Sequence, residues 1–228
     1  MIKNCLRGFG ALSLALAPLL ASAPAQAAAA PEGLHAAEVT TLADAVGLVP
    51  AADEDRTGYT RSSFKHWNSG DLADGCNTRN EVLIAEATIA PVVAAGCKLT
   101  GGSWLSYYDG QEVTDPGALD IDHMVPLAEA WDSGASAWTA ARREAYANDQ
   151  GAAASLVAVT ARTNRQKADQ DPAQWLPPAP EAQCRYVGEW VATKLRWHLT
   201  ADTTELDALE AFAEGPCGDS IVSYTPAP

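Results

Sequence analysis

The sequence predicts an α+β fold, a small antiparallel sheet with added helices, stapled by two disulfides. Three observations lead there. Short β-like runs separated by turn dipeptides occupy residues 97–125 and 156–160. A helical apolar stripe occupies residues 181–199, and a capping signature at Asp202 opens a second helix to about Ala213. Four cysteines remain once Cys5 is set aside, an even number suited to an oxidising compartment.

The first residues read as an export signal. Lys3 and Arg7 precede an apolar run from Leu12 to Ala23, and Ala25-Gln26-Ala27 is a small-x-small cleavage site. The run is too short to span a bilayer, and Cys5 lies before it, where a lipid-anchored cysteine would not. Cleavage after Ala27 therefore predicts a secreted protein with no membrane partner. Residues 28–57 are Ala-rich and acidic and read as an arm or pro-region, with a helix around residues 35–46. Residues 58–220 form one domain, and residues 221–228 a tail.

Within the domain, Asn77 can cap a helix through Glu81, Val82 and Leu83. Gly101-Gly102 and Asp109-Gly110 are turn dipeptides flanking Ser-Trp-Leu-Ser-Tyr-Tyr. Residues 119–125 read as a strand ended by Pro126, and Ser136 as the cap of a helix over 137–147. Residues 156–160 read as an apolar strand, with a helix starting near Asn164. Asp202 with Glu205 three residues on is a capping signature for the last helix. An antiparallel helix pair turning near Thr200–Ala201 puts Cys184 and Cys217 side by side at its open end. By elimination Cys76 pairs with Cys97. No C-x-x-C or paired-histidine spacing supports a zinc site.

The formal net charge is −14, and losing Lys3 and Arg7 with the leader makes it −16. That excludes a non-specific nucleic-acid coat, which needs a basic surface. It leaves room for an enzyme that grips phosphate locally and releases its product.

The segment Asp120-Ile-Asp-His-Met-Val-Pro126 holds the one histidine beside a carboxylate, and Asn164 follows the 156–160 strand. Phosphodiester hydrolysis needs a base to activate water and a cation to neutralise phosphate charge. Histidine can be that base. A carboxylate and an amide oxygen are hard ligands suited to one Mg²⁺ or Mn²⁺. Asp122 and His123 are neighbours, so they share a site only where the strand twists or ends.

The phrases D-I-D-H-M-V-P-L-A-E-A-W, S-G-A-S-A-W, Y-A-N-D and N-R-Q-K-A-D-Q-D-P-A-Q-W-L-P-P resemble secreted actinobacterial HNH endonuclease-family proteins. Their nuclease domain is related to the C-terminal domain of GmrSD-type restriction enzymes. The likeness runs from about Tyr59 to Cys217 and includes Y-T-R-S-S-F-K-H-W and C-N-T-R-N-E-V-L. It implies a ββα-metal core with His123 as general base and Asp122 and Asn164 as ligands of one divalent ion. The middle residue of the HNH name is left between Asn148, as a loop brace, and Ser155. Arg79 is a candidate to hold a phosphate bidentately, or a structural ion pair. Arg165 and Lys167 are candidates for substrate phosphates, or a solvated face. Glu129 reads as a helix-surface carboxylate. The resulting expectation is a monomer cutting DNA, with RNA as a second substrate class. Its rivals are a phosphodiesterase of small nucleotides and a catalytically idle binding module.

Overall fold

The computed structural model describes residues 36–72 and 74–228; the leader, its cleavage site and residues 28–35 lie outside them. In chain order the elements are β1 (Glu38–Thr41), α1 (Leu42–Val46), α2 (Thr78–Glu86), β2 (Val92–Ala94), β3 (Lys98–Thr100), β4 (Trp104–Ser106), β5 (Gln111–Val113) and β6 (Leu119–His123). There follow α3 (Leu127–Asp132), α4 (Ala140–Ala147), β7 (Leu156–Thr160), α5 (Ala161–Lys167), α6 (Gln183–Trp197), α7 (Thr203–Ala213) and β8 (Ile221–Tyr224).

The strands pair antiparallel in four two-stranded sheets: β1–β8, β2–β3, β4–β5 and β6–β7. Two of them fall within the stretch punctuated by glycine turns. Asn77 caps α2 by accepting from the Asn80 N–H, and Asp202 caps α7 by accepting from the Glu205 N–H. The helix pair α6 and α7 turns through His198, whose left-handed φ of 55° ends α6. Cys184 and Cys217 are bridged at its open end, and Cys76 is bridged to Cys97.

Three expectations change. The segment before residue 57 is not a loose arm from residue 36 onward: β1 pairs with β8, and Leu42, Ala45 and Val46 of α1 are buried. The expected 35–46 helix is therefore a strand followed by one short helix. The tail is likewise built in, through β8, through the Ala227 N–H on the Arg196 carbonyl, and through the Pro228 carbonyl on Arg142. The helix expected from Ala137 begins at Ala140, because residues 135–137 form a separate 3-10 turn and Thr139, not Ser136, caps α4.

The β6–β7 pair sits between two apolar clusters. Leu119, Ile121, Leu156 and Ala158 pack with Val82, Leu83 and Trp104, while Val157 and Val159 join the larger cluster around Tyr108, Tyr186 and Trp190. Burial on both faces explains why the 156–159 run is continuously apolar rather than alternating. Helix α5 follows β7 directly and lies against both strands.

Candidate active site

β7 ends at Thr160, whose hydroxyl caps α5 by accepting from the Thr163 N–H, and Asp109 accepts from both threonine hydroxyls. That anchoring sets Asn164 one turn into α5, beside β6. His123 lies opposite Leu156 and Asp122 opposite Val157. Because β6 stops at His123 and the chain turns away toward Pro126, Asp122 and His123 both line one cleft of about 310 Å³, together with Asn164, Arg165, Arg61 and Asp169.

The His123 ring is fixed on three sides. Its Nε2 lies 2.9 Å from the Ala147 carbonyl oxygen. A carbonyl only accepts, so Nε2 carries the proton and Nδ1 keeps its lone pair. Trp67 stacks on the ring at 5.4 Å and 24°, and Tyr146 lies parallel at 6.4 Å and 21°. Burial holds the imidazole down to about 3, against the 6.5 of a free side chain, so it is neutral.

Asp122 is buried, and one carboxylate oxygen is engaged twice, by the Tyr108 hydroxyl at 2.6 Å and by the Lys167 ammonium. Its other oxygen takes no hydrogen bond from a described residue. Burial pushes this carboxyl up, with the Lys167 charge and the two hydrogen bonds opposing. Asn164 donates its amide to Asp120 at 3.3 Å, which leaves its side-chain carbonyl uncommitted. Asp122 and Asn164 thus offer two hard oxygen donors to the cleft.

Of the other expected residues, Arg165 is the one at the cleft: it is 76% exposed and stands 3.6 Å from Asp120. Lys167 is not on a solvated face. It is fully buried, donating to Asp122 and to the carbonyls of His123 and Met124, with the rings of Tyr108, Tyr186 and Trp190 within 6 Å. It cannot reach a substrate phosphate; it ties α5 to the end of β6. Arg79 donates to the carbonyls of Pro116 and Leu119, so its fork holds the start of β6 rather than a phosphate. Asn148 ends α4 outside the cleft and uses every hydrogen-bonding position. Its amide donates to the Lys65 and Glu144 carbonyls, and its oxygen accepts from the Asn68 N–H and the Thr78 hydroxyl. It braces the loop that carries Trp67, whose φ of 58° is left-handed. Ser155 donates to Asp149 instead.

Arg61, Trp67 and Tyr108, which were not among the expected site residues, reach the site from other segments of the chain. The signal for Trp67 and Arg61 was present only as the phrase Y-T-R-S-S-F-K-H-W.

Glu129 is not a surface carboxylate. It is buried against Lys194, which also pairs with Glu205 and donates to the Ser133 hydroxyl and the Thr200 carbonyl. Glu54, Glu129 and Asp132 bring one carboxylate oxygen each within 4.8 Å of one another. That charge is met by Lys194 and Arg56, and burial together with Glu129 pushes Glu54 up to about 8. A larger groove of about 720 Å³ runs along α6 and β8 and contains none of the candidate site residues. No helix among the described residues is long and apolar enough to cross a membrane.

Fold and cleft define an α+β domain whose histidine, carboxylate and amide side chains meet on a strand–strand–helix unit. Residues 97–211, which carry that unit, match the family of GmrSD restriction endonucleases, C-terminal domain. The chain belongs to this family. It is also 36% identical over 201 residues to an uncharacterized secreted protein of the fungus Arthroderma benhamiae (strain ATCC MYA-4681 / CBS 112371), covering 88% of this chain and 96% of that protein. No solved structure matches the chain.

Proposed function

We propose that this protein is a secreted HNH-type endonuclease that hydrolyses phosphodiester bonds in DNA, and in RNA as a second substrate, with low sequence specificity. The observation that carries the reading is the commitment of His123 Nε2 to the Ala147 carbonyl. It leaves Nδ1 an unprotonated acceptor on a residue that lines the same cleft as Asp122 and Asn164. A neutral imidazole held in one orientation is what a general base for water requires. Trp67 and Tyr146 restrict the ring to that orientation, so the proton arrives at Nδ1.

The donors fit one Mg²⁺ or Mn²⁺: a carboxylate with one uncommitted oxygen and an amide carbonyl, both oxygens, with room in the cleft for water and phosphate. Asp122 and Asn164 would hold the ion, which when bound supplies charge neutralisation for the phosphate and for the departing oxygen. Lys167 opposes the protonation of Asp122 that burial favours and orients its carboxylate, and Arg165 offers a cation at the rim. Two disulfides, a leader-like N-terminus and a relative named as secreted all support export.

The test is digestion of supercoiled plasmid beside a small phosphodiester, with and without EDTA. The reading expects nicked and linear plasmid, loss of cutting in EDTA, restoration by Mg²⁺ or Mn²⁺, and little turnover of the small ester. Full activity in chelator rejects the metal site, and turnover of the small ester alone rejects the endonuclease.

A further inference from the structure

We propose that Arg61 is a substrate-binding residue, forming with Arg165 a two-sided clamp on the phosphate that His123 acts upon. The inference rests on the nuclease reading and adds to it a residue outside the 97–211 segment that matches the family.

Arg61 opens a 3-10 turn, Arg61–Ser63, whose backbone is pinned from several directions. Phe64 is buried next to it, Arg143 donates to the Ser63 carbonyl, and Asn148 holds the Lys65 carbonyl. The base of the Arg61 side chain is thus anchored at the cleft while its tip is not. Arg56, Arg79, Arg143, Arg185 and Arg196 are each held by a carboxylate or a carbonyl. The Arg61 guanidinium is held by no described residue, although the chain carries a net charge of −14 and 29 acidic side chains.

Its position is informative. It lines the cleft of Asp122, His123 and Asn164. Arg165 enters the same cleft from α5, an element remote from the Arg61 turn in the chain. A guanidinium fork matches two non-bridging phosphate oxygens at once. Two forks from separate elements would fix the phosphodiester across the cleft without touching a base. Local grip on phosphate from within an otherwise acidic protein also reconciles substrate binding with the net charge. Long-range attraction is weak, and binding is concentrated at the scissile phosphate.

The experiment measures binding of a fluorescent single-stranded oligonucleotide by anisotropy, with Mn²⁺ present, in the non-cutting His123→Ala background over a salt series. Adding Arg61→Gln should weaken binding roughly ten-fold or more. It should also lower the salt slope by about 0.7, the share of one phosphate contact on a single strand. Arg61→Lys should keep the slope but not the affinity, because the fork is lost. Arg162→Gln, exposed on α5 but not lining the cleft, should match the parent. If Arg61→Gln binds with the parent's affinity and slope, the clamp is refuted while the nuclease reading stands. If the parent binds no oligonucleotide and the wild type cuts none, both fall together.

Discussion

Asp122 and Lys167 form a buried pair, so the two cannot be altered singly without consequence for the fold. Asp122→Ala strands a fully buried ammonium, and breaking such a pair costs about 3–5 kcal/mol. Calorimetry should therefore show a large fall in Tm for this variant, and its inactivity would say little about chemistry. Asn164→Ala is the cleaner probe: the side chain is half-buried and makes one long hydrogen bond. It is expected to fold normally and to weaken Mn²⁺ binding in isothermal titration calorimetry. Unchanged Mn²⁺ affinity would remove Asn164 from the ligand set. The Asp122, His123 and Asn164 candidates were legible because polar residues at the ends of apolar strands stand out locally. Lys167 was not. In N-R-Q-K-A-D it looks solvated, and it is buried by Tyr108, Tyr186 and Trp190, which arrive from other segments. Arg79 misleads for the same reason, since the carbonyls it holds lie some forty residues on.

At the scale of elements, α2, β6, β7, α6 and α7 were legible because each carries its own cap or apolar pattern. The start of α4 was not. S-G-A-S-A-W offers several cap-like residues, and Gly134, at a φ of 112°, leads into a separate 3-10 turn. The β1–β8 pairing joins the two ends of the described chain, which no local pattern can announce. The α2–β7 contact makes a pH-dependent prediction. Glu86 accepts the Ala158 N–H at 2.7 Å, and burial pushes its carboxyl up to about 7 from 4.5. The folded state then binds a proton more tightly than the unfolded chain. That stability is present below pH 4.5 and is lost as pH rises through about 7. Glu86→Gln keeps an acceptor for the strand and removes the titration. It should raise stability at pH 8 by on the order of 2–3 kcal/mol and lessen the fall of Tm between pH 5 and pH 8, the rest of that fall being carried by Glu54 and Glu205. A variant whose Tm still falls over that range like the parent's would show that Glu86 is not the responsible group.

For the whole molecule, the two disulfides stabilise the fold from outside the candidate cleft. The bridges close loops with separations of 21 and 33 residues, each stabilising by about 3–4 kcal/mol in the chain-entropy picture. Neither Cys184 nor Cys217 lines the cleft of Asp122, His123 and Asn164. Replacing both by serine should therefore lower Tm by several degrees while the cutting rate at low temperature stays near that of the wild type. Loss of cutting in a folded double variant would place the bridge in the chemistry instead. Lys194 belongs to the same scaffold. Buried between Glu129 and Glu205, it joins α3, α6 and α7 and makes the acidic residues of the core tolerable. Whether His123 is the base is decided by single-turnover cleavage of DNA by the full protein and by its His123→Ala variant at saturating Mn²⁺. The expected rate is lower by about 10²–10⁴, with Mn²⁺ affinity close to that of the wild type and a Tm lowered by the cavity left where the buried ring packs on Trp67 and Tyr146. A folded, Mn²⁺-binding variant that cuts at the wild-type rate would contradict that assignment.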